Sequence, residues 1–405
     1  MSLRILWVLP YLPWPTSSGG KTRQYHLLRA LAQAGHRITL LVQSKAPLDD
    51  AAREALEPLL EQLIVLPRRS LRSPTTLLAI AASPLPMLAS INGYAPALSR
   101  RFAKLLSESW DVVQIEHSYA FQPFEDALQK AKQPFILTEH NVESALGGAI
   151  YDRFPTWLRP MVWFDQWRYR RWERHVMGLA AKVVAVTEAD ALTLGKMIGR
   201  DVPVVVNGVD CARYAQVAPT YDSNRLLFIG NYEYPPNVDA VEWTMDEVMP
   251  RVWQLQPEAR ITIAGYALPA DWRQRWPDKR IEWHAFVPDL TALQAQAAIF
   301  FAPLRTGGGS KLKVLEAMAA GLAVVTTAQG VSGLAVASGV EYDGGEDAEA
   351  LAVAVSRQLS DPDGAQRMGA AGRDYVGRVH DWSVAAAQLL EVYAAVGNPR
   401  ESACE

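Results

Sequence analysis

The stretch FFAPLRTGGGSKLKVLEAMAAG, Phe300–Gly321, decides how this chain is read. An apolar run ends at Leu304, three consecutive glycines (Gly307, Gly308, Gly309) follow, and helical spacing opens near Ser310 and stops at Gly321. Strand, loop and helix in that order form one unit of a parallel sheet, because parallel strands need a crossover helix. Such sheets take ligands outside the carboxyl ends of their strands. Free N–H groups and the positive end of the helix dipole then face the glycine loop and favour an anion. Lys311 and Lys313 fall in the first turn, where the dipole favours acids, so an anion neutralising both accounts for them. Glu316 follows a turn later, where a carboxylate accepts hydrogen bonds from a vicinal diol such as a ribose. The plain alternative is a turn with solvated lysines and an i,i+3 Lys313–Glu316 pair. The P-loop order G-x-x-x-x-G-K-[ST] is absent.

Working outward, the pattern repeats in two blocks. Near the N-terminus, Leu3–Leu9 reads as a buried strand, YLPWPTSSGGK as a proline-rich loop, and TRQYHLLRALAQAG as a helix capped at Gly35. HRITLLVQ, DVVQIE, PFILT and KVVAVT supply further strands, with helical stretches between. The segment 204–224 carries turn residues and little periodicity and reads as the domain joint. RLLFIG, ARITIAG, RIEWHAF, AIFFAPL and LAVVTT then restart the alternation over 225–378. A helix over Ser383–Val396 is amphipathic through Leu389, Leu390, Val392 and Tyr393. The fold class expected is α/β: an N-terminal Rossmann-like domain over 1–203, a linker over 204–224 and a second such domain over 225–378. A final helical segment over 379–397 and a tail over 398–405 complete it, and two similar halves leave a cleft.

Composition narrows the function. The 405 residues suit two domains of about 150–200 each. Lys plus Arg is 40 and Asp plus Glu is 43, a net charge of −3 that argues against a nucleic-acid binder. Two cysteines, Cys211 and Cys404, build neither a disulfide framework nor a zinc cluster and suit a reducing compartment. The start MSLRILWVLP lacks signal-peptide features, and the apolar run Thr75–Asn92 is broken by Pro84 and Pro86. A cytoplasmic protein is expected.

Other candidates surround the first. Gly19–Gly20 allow backbone amides to approach a phosphate or sugar, or simply connect two elements. In FIGNYEYPPNVDAVEW, Asn231 and Asn237 suit ligand contact, while Asn237 or Asp239 equally suits capping of the next helix. His117 and His140 follow strands; either a structural role or hydroxyl binding and proton transfer fits them. Their spacing is not that of a metal site, and no metal is expected. The segment 151–176 holds four tryptophans and six arginines, a composition that suits a membrane interface and helix packing alike.

These blocks together resemble glycosyltransferase family 4, the retaining GT-B type. The resemblance runs from the proline loop and LAQAGHRITLL through VVVNGVD and FIGNYEYPPN to KLKVLEAMAAGLAVVTTAQGVSGL. It implies two Rossmann-like domains, a nucleotide-sugar donor held mainly by the second, and a C-terminal helix crossing back to the first. It assigns Glu316 to the donor ribose, and Lys311 and Lys313, with Gly309, Ser310 and Leu312 around them, to the diphosphate. Gly19–Gly20 would close over phosphate or sugar, His117 would lie beside the sugar, and the backbone at Phe286 and Val287 would flank the base. His117 and Lys313 are the catalytic candidates. Two departures stand out. Gly308 occupies the place of an acid eight residues before the ribose-binding Glu316, and Asn231 with the PPN turn replaces an Arg and a Lys. A subgroup with these features includes enzymes of bacterial exopolysaccharide and biofilm loci. The resemblance thus implies metal- and cofactor-independent hexosyl transfer to a glycan or lipid-linked acceptor, with GDP-mannose favoured over a UDP-hexose. A non-catalytic sugar-nucleotide-binding scaffold is the alternative, kept open by Gly308.

Overall fold

Short apolar runs become central strands where helices cover both faces. The computed structural model describes residues 2–45, 47–68, 83–144, 159–287, 289–307 and 311–397. The chain divides into two compact units, Met1–Val206 with the stretch from Ala385 onward, and Asn207–Val384. The first holds β1 (Arg4–Leu9), β2 (Arg37–Ser44), β3 (Gln62–Pro67), β4 (Val112–Glu116), β5 (Ile136–Glu139) and β6 (Lys182–Ala185). They form one parallel sheet in the order β3-β2-β1-β4-β5-β6. Ile5 to Leu9 are all buried, as expected of a central strand with helices on both sides.

The second unit repeats the plan with β7 (Arg225–Asn231), β8 (Arg260–Tyr266), β9 (Ile281–His284), β10 (Ile299–Ala302), β11 (Ala323–Thr326) and β12 (Asp343–Gly344). Its order is β12-β11-β10-β7-β8-β9, again parallel. In both sheets the winding direction reverses between the first and fourth strands, β1 beside β4 and β7 beside β10. The chain leaves in opposite directions at such a point, which opens a crevice at the strand ends.

The second core extends beyond the sheet, because Val209, Tyr214 and Val217 of the expected joint are buried in it. The last helix, Trp382–Gly397, begins in the second unit and continues in the first. There Gln388 accepts from the Val206 amide at 3.0 Å and the Tyr393 hydroxyl donates to Gln114.

Several local expectations are corrected. Gly19 and Gly20 do not lie in the loop; they are the first residues of the helix Gly19–Gln33. The helix after the glycine loop spans Leu312–Ala319, and Lys311 sits before its first turn as a left-handed N-cap with φ of 51°. Neither Asn237 nor Asp239 caps a helix, since both lie inside Pro235–Trp243, which proline starts and Tyr234 precedes. Two strands, β3 and β12, were not anticipated.

Candidate functional site

In the second unit, the crevice between β7 and β10 gathers the residues singled out from sequence. Asn231 ends β7, and Asn237, buried one turn into the next helix, donates through Nδ2 to the Asn231 carbonyl at 2.8 Å. Its Oδ1 accepts from Lys313 Nζ, a pairing between residues far apart in the chain. Lys313 also lies over the Phe228 ring at 4.7 Å. Lys311 turns back to donate to the Gly307 carbonyl at 2.9 Å. Gly307 is at φ of 113°, and a Cβ there would stand 3.1 Å from the Tyr234 hydroxyl, so glycine is required. Gly308, Gly309 and Ser310 lie outside the described residues.

Electrostatics marks this cluster. Burial, with Lys311 adding repulsion, pulls the Lys313 ammonium down to about 7. Burial likewise lowers Lys311. Glu316 is pushed up to about 7 by burial against a hydrogen bond from Tyr214 and the charge of Arg213. The i,i+3 Lys313–Glu316 pair is not the arrangement found, because Lys313 turns to Asn237 and Glu316 to Tyr214. A cation and a carboxylate are therefore both held in surroundings that disfavour their charged forms. A bound group of opposite charge is one way such a cost is relieved, and perturbed groups of this kind cluster at functional sites. Leu312 opens the helix. Phe286, 70% exposed, and Val287 follow β9. Asp289, beyond them, pairs with Arg213 at 3.0 Å, the arginine whose charge reaches Glu316.

In the first unit, the crevice between β1 and β4 holds a polar network. Glu116, buried at the end of β4, accepts from Trp7 Nε1 at 3.1 Å, Gln114 Nε2 at 2.6 Å and Gln24 Nε2 at 2.7 Å. His140 Nε2 lies 3.0 Å from the same carboxylate. The same nitrogen lies 3.0 Å from Gln24 Nε2, so one ring nitrogen of His140 is held between amide and carboxylate while Nδ1 turns away from both. That Nδ1 is 3.6 Å from where a Gly20 Cβ would stand, so it faces the start of the Gly19–Gln33 helix.

His117 is placed differently. It is 5% exposed with φ of 66°, its Nε2 is 3.3 Å from the Tyr11 hydroxyl, and its ring stacks on Tyr119. Burial, then His140 and Arg23, hold it well below the ordinary histidine range, so it is neutral. Tyr11 stands between His117 and Gly20, whose Cβ position is 2.7 Å from the tyrosine oxygen. Sequence reasoning missed Tyr11, Gln24 and Gln114 as members of this network. Two of them are amides on a strand and a helix, with no motif to mark them. Among the described residues, no group of three or more His, Cys, Asp or Glu side chains is arranged to hold a metal ion.

The sequence matches the family profile described as Glycosyltransferase Family 4 over residues 17–213 and that described as Glycosyl transferases group 1 over 223–361. The chain is a GT-B glycosyltransferase of the family 4 type. This glycosyltransferase is 28% identical to a glycogen synthase of Mycobacterium tuberculosis, over 97% of this chain and 95% of that protein. It is also 28% identical to a phosphatidyl-myo-inositol mannosyltransferase of Mycolicibacterium smegmatis, over 78% of this chain and 80% of the relative. Among solved structures, Anabaena HepE in complex with UDP-glucose shares the fold, with a TM-score of 0.61 at 17% identity. The match covers 97% of this chain and all of the other.

Proposed function

We propose that this glycosyltransferase moves a hexosyl unit from a nucleoside diphosphate sugar, with retention at the anomeric carbon. The acceptor is a glycan or a lipid-linked sugar of bacterial exopolysaccharide synthesis, met at the inner face of the cytoplasmic membrane. The observation that carries the donor class is the Lys311–Lys313–Glu316 cluster at the second crevice. Two desolvated cations suit a diphosphate and a desolvated carboxylate suits a ribose diol. The UDP-glucose complex of HepE and the name of the mannosyltransferase relative support a hexose donor and a lipid acceptor respectively. GDP-mannose is the preferred donor.

In the reaction, the bond from the anomeric carbon to the diphosphate oxygen breaks and the acceptor oxygen bonds the same face. The acceptor proton passes to the departing diphosphate. Lys313 and Lys311 stabilise the charge growing on that oxygen, and being fixed they do so without reorganisation. Asn237 holds Lys313 and the Asn231 carbonyl in register. His140, oriented by Glu116, offers Nδ1 to a hydroxyl. No metal and no cofactor enters this scheme; the nucleotide sugar is a substrate.

Proton NMR of donor turnover tests the reading. Incubation with UDP-, GDP-, ADP- and dTDP-hexoses, with water as slow acceptor, is expected to release the sugar first as the anomer present in the donor. Release of the opposite anomer would overturn retention, and no turnover of any donor, even with membrane lipid added, would overturn the activity.

A further inference from the structure

The helix Arg159–Leu179 carries two stripes with the same spacing. Asp165, Tyr169, Trp172, Glu173 and Val176 form the buried one. Trp163, Phe164, Trp167, Arg170, Arg171 and Arg174 form the other, at i, i+1, i+4, i+7, i+8 and i+11. That spacing ordinarily faces a core, yet here it faces outward: Trp163 is 67% exposed, Phe164 56% and Trp167 53%, with Met161 beside them at 67%. Arg170, Arg171 and Arg174 are exposed as well. Both acids of the helix, Asp165 and Glu173, are on the buried stripe, so the outward stripe is cationic on a chain of net charge −3. The neighbouring carboxylate of Glu125 is engaged by His175 at 2.8 Å.

We infer that this outward stripe docks the protein on an anionic phospholipid bilayer, with Trp163, Phe164 and Trp167 at the headgroup–acyl boundary and the arginines on lipid phosphates. Tryptophan is enriched at that boundary because its ring is apolar with one polar edge, and arginine forks onto phosphate oxygens. The stripe is prepared for both. Arg171 lies over the Trp167 ring at 5.0 Å and Arg168 over Phe164 at 5.1 Å. A groove of about 540 Å³ runs between Pro84–Pro86 and Phe164, Trp167 and Trp172, with Arg168 and Arg171 also lining it, room for an acyl segment below a phosphate. Among the described residues no helix is long and apolar enough to cross a membrane, so this contact is interfacial. The inference deepens the membrane-linked acceptor proposed above, but its test reads binding rather than turnover, so either reading fails on its own.

The test is co-sedimentation of the full chain with vesicles of phosphatidylcholine alone, or with about one third phosphatidylglycerol. Binding is expected only to the anionic vesicles and is expected to weaken as salt rises. At about fivefold per arginine, Arg170→Gln with Arg171→Gln and Arg174→Gln lowers partitioning by on the order of a hundredfold. Trp163→Ser with Trp167→Ser removes the part of the binding that survives high salt. All five positions are exposed, so both variants are expected to keep the wild-type circular dichroism and melting temperature. Binding to neither vesicle, equal binding to both, or wild-type binding by folded variants would overturn the inference.

Discussion

Replacing Lys313 by methionine keeps the length and apolar stem of the side chain and removes the ammonium. Lys313 titrates at about 7 in the fold against an ordinary 10.5, a displacement worth at most about 5 kcal/mol at 1.4 kcal/mol per pH unit. Lys313 is closely surrounded but keeps some solvent contact, and screening by that water brings a working figure to about 3 kcal/mol. Losing the bond to Asn237 offsets about 1 kcal/mol of that. Lys313→Met is therefore expected to be more stable than wild type by about 2 kcal/mol at pH 7, roughly 4–8 °C in melting temperature for a domain of this size. The sign of the pH dependence isolates the cause. Between about 7 and 10.5 the unfolded lysine holds a proton the folded one has released, so wild-type stability rises with pH there. The variant's advantage must shrink from pH 7 to 9 and then reverse. Thermal unfolding followed by circular dichroism at pH 7, 8 and 9 reads this directly. The same variant is expected to lose about 10²–10³ in kcat/KM, the usual cost of one transition-state donor. A variant less stable at pH 7 by an amount that stays constant to pH 9 would refute the reasoning, because the lysine would then be solvated and structural.

Glu316→Gln is expected to weaken nucleotide binding about 10–100-fold, as loss of charge-assisted hydrogen bonds does, measured by calorimetry. In wild type the affinity contributed by Glu316 should rise as pH passes upward through about 7, because the ionised carboxylate is the better acceptor, and this rise should vanish in the variant. Glu116→Gln places an amide against three N–H donors and frees His140 to change tautomer; a fall of about 10²–10⁴ in kcat/KM is expected, and His140→Ala added to it should cost little more. Turnover should persist after dialysis against EDTA, and its abolition, with recovery on adding a divalent cation, would contradict metal-independent transfer.

The sheets were legible because each strand is a short apolar run bounded by turn residues, and alternation with helices made them parallel. β12 was not, since Asp343–Gly344 is two residues with no apolar signal, and β3 was not, since Gln62–Pro67 is a half-buried edge strand just past a helical turn. The glycine-lysine-glutamate loop could be read because its residues adjoin in sequence. Its anchor could not: Asn237 and Lys313 meet only when β7 and β10 pair. The network around Glu116 is further from sight, since Gln24, Gln114 and His140 arrive from three elements and Tyr393 from the last helix. Polar side chains buried by tertiary structure leave no periodicity to read. His117 drew notice by standing at a strand end, yet the fold buries its ring beside Tyr119, whereas His140 one strand over presents its free nitrogen to Gly20.

The most direct test of the donor site is isothermal titration of the full chain with UDP, GDP, ADP and dTDP, each repeated on Glu316→Ala. One base is expected to bind preferentially, and that binding is expected to disappear in the variant. Binding that survives Glu316→Ala unchanged, or no binding of any nucleoside diphosphate, would contradict a donor held at the Lys311–Lys313–Glu316 cluster.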